Sequence, residues 1–215
     1  MLTKLKEKVQ QLLASEARVA HSIGLTPNVV TVFGFVLSFF AALAYALVMA
    51  PSKPYLLLVA VVLLMASGFC DTLDGILART YQQATVFGGF LDSLLDRYAD
   101  VFMFAGIIIS GACNLLAGLA ALASSLMVSY SRARAEAAGI KMESIGIAER
   151  PERIIILAAS SLVAIIWFPA LNIGVIIIAL LATVTVLQRG LHFYKSNQSR
   201  SREQKEDVTE IKIAT

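Results

Sequence analysis

Charge is scarce in this 215-residue chain: 15% of its residues are Asp, Glu, Lys or Arg, against 58% that are hydrophobic. That balance excludes an ordinary soluble domain and reads as a polytopic membrane protein. The excess of positive charge is small as well, at +3, which gives no basis for a nucleic-acid partner. Only Cys70 and Cys113 carry thiols, without paired spacing, so neither a zinc site nor a disulfide framework is expected and both read as free apolar thiols. Internal repeats and low-complexity blocks are lacking. A cleaved signal peptide is not expected, because Lys4, Lys6, Glu7 and Lys8 interrupt any apolar core near the start.

What the chain does have is long apolar runs. Stretches near Val29–Ala50, Tyr55–Ala78, Gly89–Gly111, Leu115–Ala135, Pro151–Phe168 and Leu171–Phe193 approach the roughly 20 residues that cross a bilayer as helix. The expected fold class is therefore all-α, a membrane protein of six transmembrane helices. The third run is the least apolar, since Asp92, Asp96, Arg97 and Asp100 interrupt it, yet its aspartates recur every four residues and could share one helix face. Before the first run, Leu2, Leu5, Val9, Leu12, Leu13 and Val19 recur at helical spacing. Residues 1–23 thus read as an amphipathic helix, either lying on the cytoplasmic membrane surface or packed against the bundle or a partner. Residues 24–195 form the membrane domain, and residues 196–215 a polar tail expected to be mobile.

Basic residues set the orientation. Lys53 stands alone in the first loop, and no Lys or Arg occurs in Gly111–Leu115 or Phe168–Leu171; the rest lie in or beside the N-terminal segment, the loops after the second and fourth runs, and the C-terminal end. By the positive-inside rule both termini are cytoplasmic in a cell membrane. The aspartates at the end of the second run and the start of the third then open toward the cytoplasm.

Those aspartates are the most informative residues. Asp71 and Asp74 are three apart, Asp92 and Asp96 four apart, so each pair projects from one face of its helix. A charge at the centre of a membrane helix costs roughly 2.5–3.5 kcal/mol, so such groups mark a functional interior. Divalent cations would remove the mutual repulsion, and all-oxygen ligation selects magnesium, manganese or calcium. Two ions a few ångströms apart could bridge a pyrophosphate and stabilise the charge that develops on its cleavage. The alternative is ion pairing with Arg79 and Arg97, but two arginines cannot neutralise the five carboxylates of Asp71, Asp74, Asp92, Asp96 and Asp100. Gly75, Ala78, Gly88 and Gly89 leave room for a ligand or for close helix contact, and Arg79 offers a planar donor set to a phosphate.

The run Asp71-x-x-Asp74-Gly75-x-x-Ala78-Arg79, eight residues, then Gly88-x-x-x-Asp92-x-x-x-Asp96, resembles the signature of the CDP-alcohol phosphatidyltransferase family at every fixed position. The resemblance implies that an acceptor hydroxyl attacks the lipid-linked phosphate of a CDP-activated lipid and releases CMP. It implies that Asp71, Asp74, Asp92 and Asp96 bind magnesium or manganese, two ions, with Asp96 also the general base. It implies that Gly75, Ala78, Arg79 and Thr85 line the CDP site, and that the protein is a homodimer. From the residues alone, any of the four carboxylates could take the proton.

A second region addresses the acceptor. Ser131-Arg132-Ala-Arg134-Ala-Glu136 and Glu149-Arg150-Pro151-Glu152-Arg153 bring four arginines beside a helix start, whose free amides favour an anion. Such a pocket fits a phosphorylated acceptor and disfavours serine, choline or ethanolamine; the bland alternative is positive-inside bias with pairing to Glu136, Glu149 and Glu152. These segments resemble the phosphatidylinositol-phosphate synthase branch, which implies inositol 1-phosphate as acceptor, contacted by Arg132, Arg134, Arg153 and Arg189. The resemblance extends to Gly24-Leu-Thr-Pro27-Asn28-Val29-Val30-Thr31, implying nucleotide contacts there. Asn28 departs from the acidic residue expected at its position, and Arg132 stands where a lysine is expected. Diacylglycerol or archaeol could be the lipid. Competing readings are glycerol 3-phosphate as acceptor, a cation transporter built on intramembrane carboxylates, and an aspartate-rich prenyltransferase.

Overall fold

Four of the chain's five prolines, Pro27, Pro54, Pro151 and Pro169, stand in the first turn of a helix. There the fixed φ suits the helix and the missing N–H has no acceptor to lose. A computed structural model describes residues 14–48, 53–142 and 145–214. Among them are seven helices and no strands: α1 Ala14–Ser22, α2 Pro27–Ala46, α3 Pro54–Thr80, α4 Val86–Ile109, α5 Leu115–Ala137, α6 Arg150–Ala164 and α7 Pro169–Ala214. Polar residues cap where proline does not: Thr85 Oγ1 accepts from Gly88 N at the start of α4, and Asn114 Oδ1 accepts from Leu116 N and Ala117 N at the start of α5.

Each apolar run expected to span is helical over most of its described length, but four helices are long and apolar enough to cross a membrane: α2, α3, α5 and the Pro169–Arg200 part of α7. α4 has the length, at 24 residues, but carries Asp92, Asp96, Arg97 and Asp100. α6 has 15 residues, about 22 Å at ~1.5 Å per residue, against a hydrocarbon layer of about 30 Å. α7 runs as helix through Ala214, across the segment expected as a polar tail, in keeping with the helix-forming Lys, Arg, Glu and Gln there. Of the expected amphipathic helix, Leu2, Leu5, Val9, Leu12 and Leu13 lie outside the described residues, and α1 covers the rest.

α2 packs on α3 and α4, while α5 and α6 pack on α7; contacts of α3 with α6 and of α4 with α5 join the two groups. The main core is apolar, built on Tyr45, Leu57, Leu64, Phe104, Ile107, Leu171 and Ile178. A second cluster seats Ala17 and Ala20 of α1 against Val30, Cys70, Leu73 and Leu77. Outward-facing residues such as Phe33, Phe40, Leu58, Val62, Leu180 and Leu187 are half or more exposed, as a lipid-facing surface requires. α2 and α3 touch closely at Gly34, where a Cβ would stand 2.9 Å from that of Cys70. This approach sets Thr31, one turn earlier on α2, beside the aspartates of α3.

Candidate active site

One oxygen each of Asp71, Asp92 and Asp96 lies within 4.8 Å of the others, which brings the last turns of α3 and the first half of α4 to a common point. Asp74 lines the same open cavity, together with Thr31 and Arg150. It stays outside the three-carboxylate group, and its Oδ2 accepts from Thr31 Oγ1 at 2.5 Å. The structure thus gathers three of the four predicted ligands and sets the fourth beside them. Asp92 Oδ1 is buried with no hydrogen-bond partner among the described residues, a costly state for an anionic oxygen that a bound cation would relieve. Carboxylate oxygens are the only donors in the group, which fits magnesium or manganese better than zinc or copper.

The cation beside these carboxylates is Arg150. Its Nη1 is 2.8 Å from Asp96 Oδ1 and 3.2 Å from Asp71 Oδ1, and its Nε is 3.9 Å from Asp100 Oδ1. Neither Nη1 nor Nε meets an acceptor at hydrogen-bonding angles, so the attraction is ionic and not directional. This corrects the ion-pair alternative drawn from the sequence, which named Arg79 and Arg97. Among the described residues neither is within ion-pair distance of these aspartates. Arg97 donates to the Ser93 carbonyl of its own helix, and the Arg79 guanidinium lies against Gly75, 3.3 Å from where a Cβ would be.

The four arginines assigned to the acceptor differ in setting. Arg153 is 4% exposed and donates to Asp100 Oδ2 at 2.7 Å and to the Ala148 carbonyl at 3.2 Å. Arg189 is 2% exposed and donates to the carbonyls of Val128 and Ile145 and to Glu149 Oε1. It thereby ties α7 to α5 and to the loop before α6, which Thr185 Oγ1 also holds by accepting from Ile147 N and Ala148 N. Arg132 pairs with Glu136 at 2.8 Å on the partly exposed face of α5, and Arg134 is exposed. Arg153 and Arg189 thus meet the same loop before α6, one at the Ala148 carbonyl and the other at Glu149 Oε1, while Arg132 and Arg134 stay on α5.

Of the residues assigned to CDP, Thr31, Gly75, Ala78 and Arg79 sit beside or just beyond Asp71 and Asp74, on α2 and the end of α3. Thr85 caps α4 while Asn28 Oδ1 reaches the same turn, where Gly88 leaves space: a Cβ there would meet that oxygen at 2.8 Å and Thr85 Oγ1 at 2.9 Å. The Val30 side chain is buried in the cluster under α1, and Val29 is 52% exposed. Sequence reasoning missed two features, the Thr31–Asp74 bond and the place of Arg150. Arg150 lies within the Glu149–Arg153 segment, but no spacing signal connects it to carboxylates fifty or more residues earlier.

Residues 24–187 match the CDP-alcohol phosphatidyltransferase family, and the chain belongs to it. Among its curated relatives, the archaetidylinositol phosphate synthase of Pyrococcus horikoshii is 40% identical over 189 residues, covering 88% of this chain and 94% of the relative. That of Methanothermobacter thermautotrophicus is 43% identical over 180 residues, covering 82% and 87%. Among solved structures, the fold is similar to the phosphatidylinositol phosphate synthase of Mycobacterium tuberculosis with CDP-DAG bound, with a TM-score of 0.71, 32% identity and coverage of 86% of this chain and 94% of that one. The same enzyme in complex with manganese and citrate gives a TM-score of 0.70 at 33% identity, covering 84% and 88%. Family membership makes this an enzyme of phospholipid synthesis and sets aside the transporter and prenyltransferase readings.

Proposed function

We propose that the chain transfers the archaetidyl or phosphatidyl group of a CDP-activated lipid to inositol 1-phosphate, giving the corresponding inositol-phosphate lipid and CMP. The observation that carries this reading is the cavity lined by Asp71, Asp74, Asp92 and Asp96, with Arg153 and Arg189 held at the loop before α6 that also leads to Arg150 of that cavity. Higher identity to two archaetidylinositol phosphate synthases than to the mycobacterial enzyme supports archaeol as the lipid.

Asp71, Asp92 and Asp96, with Asp74 adjoining, would hold the magnesium or manganese, which we take to be two ions. When bound, the ions offset the negative charge that builds on the pyrophosphate. Asn28 to Thr31, Gly75, Ala78, Arg79 and Thr85 hold the cytidine diphosphate portion, while the outward apolar faces meet the lipid tails. Arg132, Arg134, Arg153 and Arg189 hold the acceptor phosphate, and the Arg189 hydrogen bonds fix that pocket before the acceptor arrives. The acceptor hydroxyl oxygen then bonds to the lipid-linked phosphorus as the bond to the CMP oxygen breaks. Asp96 accepts the hydroxyl proton, and CMP leaves with the bonding electrons.

In this reading α2 to α7 each cross the membrane, α4 and α6 against their neighbours within the bundle, α1 lies at the membrane surface, and both termini and the site face the cytoplasm. Lys53, alone at the opposite end, supports that orientation. The active form is a homodimer, which light scattering on the detergent-solubilised protein checks. The deciding experiment incubates purified protein with manganese and CDP-archaeol or CDP-diacylglycerol, adding inositol 1-phosphate or glycerol 3-phosphate, and follows CMP. Release with inositol 1-phosphate is expected; preference for glycerol 3-phosphate overturns the acceptor assignment.

A further inference from the structure

Arg150 has no part in the reaction just described, yet it lies in the middle of the groups that do. Its Nη1 stands 2.8 Å from Asp96 Oδ1 and 3.2 Å from Asp71 Oδ1, two of the three carboxylates in the metal group, and its side chain is 15% exposed. An arginine built to stay beside carboxylates directs its N–H bonds at them. Arg153, three residues along the same helix, does so with Asp100 at 2.7 Å. Arg150 does not: its buried Nε and Nη1 find no acceptor at hydrogen-bonding angles. It is held there by charge. It also offsets only one of the three negative charges of Asp71, Asp92 and Asp96, whereas a divalent ion offsets two.

We propose that Arg150 is an internal cation that competes with the divalent metal for Asp71 and Asp96, so that metal binding expels its guanidinium and its return favours metal release. The inference rests on the reading of these carboxylates as a metal site. Its consequence follows from position. Arg150 is the first residue of α6, and Arg153 lies on the following turn. A guanidinium expelled from the aspartates therefore stays at the edge of the arginine group, where its charge favours a phosphorylated acceptor. Metal loading and acceptor recognition are thereby linked, with the metal strengthening acceptor binding.

The test measures manganese affinity calorimetrically on the purified full-length chain, without CDP-lipid, for the wild type, Arg150→Gln and Arg150→Lys. Arg150→Gln is expected to bind manganese more tightly by roughly 5- to 150-fold, the usual range of a coupling between two sites, with Arg150→Lys in between. Equal or weaker affinity in Arg150→Gln overturns the competition. Should that variant fail to fold, the wild type decides by modification with an arginine-directed dicarbonyl reagent, read by mass spectrometry. Faster labelling of Arg150 when manganese is added supports expulsion, and unchanged or slower labelling overturns it. Failure of the underlying metal reading looks different: the wild type then binds no manganese, or Asp92→Asn, which alters no ion pair of Arg150, binds it as well as the wild type does.

Discussion

The two ends of α2 handle polar groups differently. Toward its C-terminal end, Tyr45 is fully buried, and its hydroxyl donates to Ser161 Oγ on α6 at 2.7 Å while Ser161 donates onward to the Leu157 carbonyl at 2.7 Å. Each proton there has one acceptor, and apolar side chains surround the chain of bonds. At the N-terminal end, Thr31 reaches Asp74 beside a group where Asp92 Oδ1 and the Nε and Nη1 of Arg150 have no hydrogen-bond partner. Those three atoms are close to half of the seven such side-chain atoms among the described residues. The first arrangement is complete as folded. The second is left short of partners in a way that a divalent ion and a diphosphate would supply, and it is there that the proposed reaction takes place.

The largest expected effect comes from Asp92→Asn. It should lower CMP release by about 10²–10³-fold or more, the scale of losing one group that stabilises the transition state. Because Asp92 Oδ1 has no protein partner to lose, thermal unfolding should shift little, within about 0.5 kcal/mol. A large loss of stability would break the comparison by making Asp92 a structural group. Arg153→Ala should do the reverse. It leaves Asp100 buried without its partner, at a cost of about 3–5 kcal/mol in denaturant unfolding. In protein that still folds, KM for the acceptor should rise while KM for the CDP-lipid holds; an unchanged acceptor KM would confine Arg153 to the structural half of the contrast.

How much of this was legible in the sequence follows from the range of each interaction. Aspartate spacing along α3 and α4 is local, and helix geometry turns it directly into the gathering of Asp71, Asp92 and Asp96. Asp74 shares that spacing but not the outcome, because Thr31 on another helix engages it. Helix count was readable from apolar runs, whereas the short span of α6 was not, since Ile165 to Phe168 are as apolar as the helix they follow. The arginines were the least legible. Arg150 and Arg153 are equivalent in composition and neighbourhood, yet one meets Asp71 and Asp96 and the other Asp100, which depends on how α6 is rotated against α3 and α4.

Smaller changes sharpen the contrast along α2 itself. Thr31→Val removes the donor to Asp74, a bond to a charged group worth about 1.5–3 kcal/mol. If Asp74 belongs to the working site, part of that loss appears as a raised KM for the CDP-lipid or weaker manganese binding, and an effect on stability alone would separate Asp74 from the other three aspartates. Tyr45→Phe is the matched change at the other end and the smallest of the set. It deletes one hydroxyl but leaves Ser161 still donating to Leu157, so no donor is orphaned and the cost should stay near 1 kcal/mol in unfolding. Manganese affinity and CMP release below the unfolding range should match the wild type. A change in either would mean that the Tyr45–Ser161 bond on α6 sets the position of Arg150 and Arg153 at the start of that helix, and the two ends of α2 would then be one coupled system.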